Sequence, residues 1–130
     1  MSHHPIAVSL ILFAMASTVS AHAETVGQRL SPEEITELLY GATLYGEYVD
    51  GRPDWAEQTA VTGQLYDVMK DWKEVGRWSV VEGKACYQYL NNGRIPCFDV
   101  TFYDKRYYFY LSGTDELVAI TTRVERAPVM

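Results

Sequence analysis

The sequence predicts a mainly β protein, in which one short helix leads into an up-and-down antiparallel meander of about eight strands forming a small barrel or sandwich. Three observations carry that prediction. From residue 42 onward, runs of six to nine residues rich in Tyr, Val, Thr, Trp and Phe alternate with turn residues. The breaks are too short for a parallel return, which takes a crossover of about a dozen residues, so sequence neighbours pair antiparallel. A single stretch ahead of them carries helix start and stop signals, and a meander must close or fold over to hide its edges.

The chain opens on residues 1–23, which read as a cleaved export signal. Ile6 to Ala16 is an almost unbroken apolar run, and Ala21-His22-Ala23 supplies small residues before Glu24. The n-region carries His3 and His4 where such signals commonly carry Lys or Arg. The run falls short of the roughly 20 residues of a membrane span, and nothing later resembles one. This predicts a periplasmic or secreted product, residues 24–130, forming a single β-rich domain with no stable membrane span after signal removal.

In the segment 31–40, Ser31 can cap a helix, Pro32 suits its first turn, Glu34 completes a capping box and Leu30 can staple onto Ile35. Ile35, Leu38 and Leu39 make its apolar stripe and Gly41 its left-handed stop. Such a helix serves to cover one end or face of a sheet. The strands follow as Thr43 to Val49, Trp55 to Val61, Gln64 to Met69, Val75 to Val81, Lys84 to Leu90, Cys97 to Phe102, Arg106 to Leu111 and Glu116 to Val124. Glycine in two of them, Gly46 and Gly76, marks a bend or close backbone approach with an aromatic packed over it.

Cys86 and Cys97 predict a structural disulfide, because an even cysteine count in an exported chain favours a bridge and no CxxC motif is present. If Asn91-Asn92 is the turn between them, the two cysteines stand directly opposite; if Asn92-Gly93 is the turn, the bridge is diagonal. Alternation puts Gln88, Asp99 and Thr101 with the cysteines on the wetter face, and Tyr87, Tyr89, Phe98, Val100 and Phe102 on the other. Closing so short a loop is worth about 3 kcal/mol.

Charge and histidine usage exclude more than they assign. The balance of 11 basic against 17 acidic residues, net -6, leaves no basic stripe for a phosphate backbone, so nucleic acid is not an expected partner. All three histidines, His3, His4 and His22, lie in the leader. The remainder therefore lacks the imidazole on which serine and cysteine hydrolase triads and most zinc enzymes depend. No catalytic residue, metal site or cofactor is expected.

Two surface constellations remain. Tyr108 and Tyr110 beside Arg106 would form an exposed ledge for a sugar, peptide or protein loop. A turn centred on Arg52 would set Glu47 opposite Glu57, an acid pair of the kind a glycosidase uses. Asp50, Asp54 and Glu57 could offer oxygens to calcium, but a solvated turn explains their spacing better.

The succession Leu30-Ser31-Pro32-Glu33-Glu34-Ile35, Gly46-Glu47-Tyr48, Gly76-Arg77-Trp78-Ser79-Val80, Cys86-Tyr87 and Cys97 resembles small uncharacterised periplasmic all-β proteins of proteobacteria. That resemblance implies location and fold without activity. In architecture the chain also resembles the periplasmic C-type lysozyme inhibitors, acidic disulfide-bearing barrels. It lacks their Ser/Gly-rich inhibitory loop, so no inhibitory residue carries over.

Three functions follow as expectations. The first is a non-enzymatic module binding a protein or small ligand of the envelope, such as an inhibitor of a basic cell-wall hydrolase. The second is a calycin-like binder of a small apolar ligand inside the barrel. The third is a carboxylate-dependent hydrolase using Glu47 and Glu57. The first asks least of the residues present.

Overall fold

The computed structural model describes residues 25–126, so the expected leader at residues 1–23 lies outside the described residues. The elements run β1 (Gln28–Arg29), α1 (Pro32–Leu39), β2 (Ala42–Tyr48), β3 (Trp55–Thr59), β4 (Gln64–Asp67), β5 (Lys73–Val81), β6 (Lys84–Tyr89), β7 (Cys97–Tyr103), β8 (Arg106–Leu111) and β9 (Leu117–Arg126). Strands β2 to β9 pair antiparallel in sequence order, and β9 returns to β2, which closes an eight-stranded barrel and leaves no sandwich. Among the described residues no helix is long and apolar enough to cross a membrane.

Helix α1 forms where its caps and stripe coincide. The Ser31 hydroxyl accepts from the Glu34 N–H at 3.1 Å and the Glu34 carboxylate accepts from the Ser31 N–H at 2.8 Å. Its buried residues Ile35, Leu38 and Leu39 plug one end of the barrel over Ala42, Leu65, Ala85 and Val100. At its C-terminus Arg126 takes the place of a basic last turn, donating to the carbonyls of Glu37 (2.7 Å), Leu38 (3.3 Å) and Tyr40 (3.2 Å). Gly41 then turns the chain at φ +67°, and its N–H bonds the Thr59 carbonyl at 2.9 Å. The Trp78 indole N–H closes the same end onto the Ala60 carbonyl at 2.7 Å.

The two-residue strand β1 has no counterpart in the sequence reading, because two residues carry no alternation to detect. It pairs antiparallel with β7 on the edge away from β8, with Gln28 opposite Phe102 and Arg29 opposite Thr101. Cys86 and Thr101, expected on the wetter face, are 3% and 2% exposed, so that face is not wet at these two positions. The disulfide joins Cys86 to Cys97, which stand directly opposite, so the turn is centred on Asn91-Asn92. The ladder between β6 and β7 consists of Ala85 with Phe98 and Cys86 with Cys97, so the bridge fastens a short seam.

Candidate functional site: an open-ended barrel cavity

Among the described residues no α-helix covers the end opposite α1. Where the loops 49–54, 68–72, 90–96 and 112–116 gather, a cavity of about 480 Å³ opens, lined at its mouth by Arg52, Asp67, Lys70, Asn92, Arg94 and Glu116. It narrows past Tyr48, Glu57, Tyr89, Phe98 and Val118 to a recess of about 50 Å³ floored by Trp55, Tyr87, Phe109 and Ala119. Polar side chains thus ring the entrance and aromatic ones line the depth, the usual distribution of a small-molecule site.

Strand alternation places the walls. Inward positions on β3 are Trp55, Glu57 and Thr59, and on β6 they are Ala85, Tyr87 and Tyr89. Gly46 lies opposite Trp55, and a Cβ there would fall 2.4 Å from the indole and 2.3 Å from the Ile120 carbonyl oxygen. The missing side chain at Gly46 is therefore what lets Trp55 lie inside. The Trp55 indole N–H is buried without an acceptor among the described residues. Rings pack around the recess, with Tyr48 and Trp55 centroids 6.3 Å apart, Tyr87 and Phe98 5.8 Å, and Phe98 and Phe109 6.1 Å.

Among the described residues, Glu57 is the one carboxylate in the lining of this recess. Its Oε2 accepts from the Tyr89 hydroxyl at 3.2 Å, and none of the ion pairs among the described residues includes it. It keeps some accessible surface because that surface faces the cavity. Burial pushes its pKa up to about 7, the Tyr89 hydrogen bond works against the rise, and Asp67 across the strand pair adds to it. Burial followed by the Glu57 charge also raises the hydroxyls of Tyr87, Tyr89 and Tyr48, so all three stay protonated donors. At the mouth the Arg52 guanidinium lies over the Tyr48 ring at 3.8 Å from its centroid, held by Asp50 at 2.8 Å.

Asp99, outside the barrel, has the opposite fate. Burial raises its pKa, but the Lys84 ammonium at 2.8 Å, the Gly113 N–H and the Arg29 guanidinium at 2.7 Å together carry it below the usual value. One carboxylate is neutralised by the protein and the other is not.

The acid pair expected at Glu47 and Glu57 is not formed. The first hairpin turns about Asp50 and Gly51, three residues out of the expected register, so Glu57 stands opposite Leu44. An odd slip reverses which face a side chain occupies, and Glu47 is exposed on the outside, beside Ile120 of β9. Asp50 sets that turn by accepting from the Arg52 N–H at 3.1 Å, and Gly51 adopts φ +89°.

The ledge expected from Arg106, Tyr108 and Tyr110 is not formed either. Tyr110 is 3% exposed and its hydroxyl accepts from the Val26 N–H at 2.7 Å, because the segment leading into β1 lies over it. Tyr108 is half-buried, while Arg106 is exposed opposite Tyr103 at the far end of β8. Among the described residues no cluster of acidic, His or Cys side chains could hold a metal ion. Sequence reasoning missed the cavity lining, although one signal was present: a strand that buries Trp55 must also turn Glu57 inward, two residues on. No family model matches this chain, and neither the curated proteins nor the solved structures contain a significant match.

Proposed function

We propose that this protein is an exported, non-catalytic container that binds a small, largely apolar molecule in the open half of its barrel. The observation supporting this reading is the cup itself, a cavity of about 480 Å³ with a polar rim and an aromatic floor, in a barrel whose other end is plugged by α1. Location outside the cytoplasm is part of the proposal and is supported by the leader-like residues 1–23 and the Cys86–Cys97 bridge. The alternative of a protein-binding inhibitor leaned on acidity, rigidity and a tyrosine ledge, and of that ledge Tyr110 is buried under the segment leading into β1. The hydrolase alternative leaned on two carboxylates that lie on opposite faces.

Titration with the uncharged fluorophore N-phenyl-1-naphthylamine tests the container. Saturable one-to-one binding with a blue shift is expected, and its loss in Val118→Trp, whose indole would fill the neck, while the far-UV circular dichroism spectrum is retained. Absence of saturable binding to the native chain, or equal binding by a folded Val118→Trp, overturns the reading.

A further inference from the structure

Resting on the container reading, we propose that the natural ligand carries an organic ammonium group, which enters the cup and pairs with the Glu57 carboxylate among the rings of Tyr48, Tyr89 and Phe98. The position of Glu57 is the first support: it stands where the wide mouth narrows, so whatever passes from rim to floor must pass its carboxylate. Its second oxygen, Oε1, has no hydrogen-bond partner among the described residues. Leaving a buried carboxylate without a cation is costly, and a ligand that brings one recovers that cost.

The walls add a second, independent support. Aromatic faces attract cations, and Tyr48 already holds the Arg52 guanidinium on one face at the rim. Aromatic rings grouped around a carboxylate form the arrangement that receives an ammonium, and they reject an anion by the same electrostatics. The net charge of -6 draws cations toward the protein as a whole.

The charged and titratable groups facing Glu57 come from every neighbouring element. Asp67 on β4 and Glu116 before β9 are acidic, Arg52 before β3, Lys70 after β4 and Arg94 before β7 are basic, and the hydroxyls of Tyr48, Tyr87 and Tyr89 complete the set. Arg52 is paired with Asp50, and none of the three cations forms an ion pair with Glu57. Since Glu57 titrates near pH 7, an ammonium ligand binds its ionised form and displaces a proton below that pH.

Three probes of one shape separate the cases by calorimetry on the full chain: tryptamine with an ammonium, tryptophol with a hydroxyl in its place, and indole-3-acetate with a carboxylate. Tryptamine is expected to bind at least about tenfold more tightly than tryptophol at pH 8, and indole-3-acetate not to bind. Tryptamine affinity should fall about tenfold from pH 8 to pH 6, with proton release seen as buffer-dependent heat, while tryptophol affinity stays level. In Glu57→Gln, tryptamine should drop to the level of tryptophol and lose its pH dependence.

Equal binding of tryptophol and tryptamine, or a Glu57→Gln chain that keeps the preference, overturns the ammonium and leaves the container standing. Failure of all three probes in a chain that still takes up N-phenyl-1-naphthylamine does the same. Failure of that fluorophore as well removes both.

Discussion

The two ends of the barrel are built from the same strands and differ in what fills them. At the helix end Ile35, Leu39, Ala42, Leu65, Ala85 and Val100 are each 0% exposed, and the Thr59 hydroxyl and Trp78 indole N–H are paired, while the buried hydroxyls of Thr101 and Thr121 find no partner among the described residues. At the loop end the inward positions of the same strands hold Glu57, Tyr48, Tyr89 and Trp55 around a cavity, with an unneutralised carboxylate and an orphaned indole N–H. Stability is thus concentrated in one half, which frees the other to keep a polar group that a core would exclude.

The largest expected effect tests that division directly. Leu39→Ala removes a fully buried side chain from the plug and should lower unfolding free energy by about 3 to 4 kcal/mol in urea titration. Tyr89→Phe, at the loop end, should cost less than about 1 kcal/mol, since it removes one hydroxyl contact with Glu57. A Tyr89→Phe cost as large as that of Leu39→Ala would break the comparison, by showing that the cup is as much a part of the cooperative core as the plug.

The next effect depends on pH. Burial raises the Glu57 pKa from its ordinary 4.5 to about 7 in the folded chain, so the folded state holds the proton more tightly than the unfolded chain. Rising pH therefore destabilises the fold between about 4.5 and 7, and the full cost is present above 7. Glu57→Gln should then raise stability by about 2 to 3 kcal/mol at pH 8 and by little at pH 4. Denaturation curves of both proteins at the two pH values check this, with exposed Glu47→Gln as the control expected to change neither. A pH-independent gain would mean that the carboxylate is solvated and the loop end wetter than its rings imply.

The smallest effect sharpens the account of the plug. Ser31→Ala removes one half of the reciprocal cap on α1 and should cost about 1 kcal/mol without altering fluorophore uptake at the other end. A change in uptake would show that the two ends communicate.

Much of this architecture was legible in the sequence because it rests on local signals. The eight barrel strands fall at the predicted runs within a few residues, and turn chemistry narrowed the cysteine register to two alternatives, of which the one centred on Asn91-Asn92 is formed. The helix limits follow from Ser31, Pro32 and Gly41. The candidate site was less legible because it depends on register across a six-residue connection. There Asp50 and Gly51 compete with Arg52 and Pro53 for the turn centre, and a slip of three residues moved Glu47 outside. The fate of Tyr110 was hidden for another reason: it is decided by contact with Val26, 84 residues away, through a segment with no periodicity of its own. Strand β4 ends earlier than its run of residues suggests, because the Asp67 carboxylate accepts from the Met69 N–H and starts a 3-10 turn at Val68–Lys70.

The sulfur bridge has a bearing on how this molecule can be diversified. It clamps β6 to β7 at the base of the loop 90–96, so Asn91, Asn92 and Arg94 hang beyond a covalent cross-tie while still facing the entrance. Residues beyond such a tie are insulated from strand pairing below it, and their length and composition can drift without reopening the seam. Evolution or an engineer could graft new recognition onto that lip, much as a lock is rekeyed while its housing stays bolted.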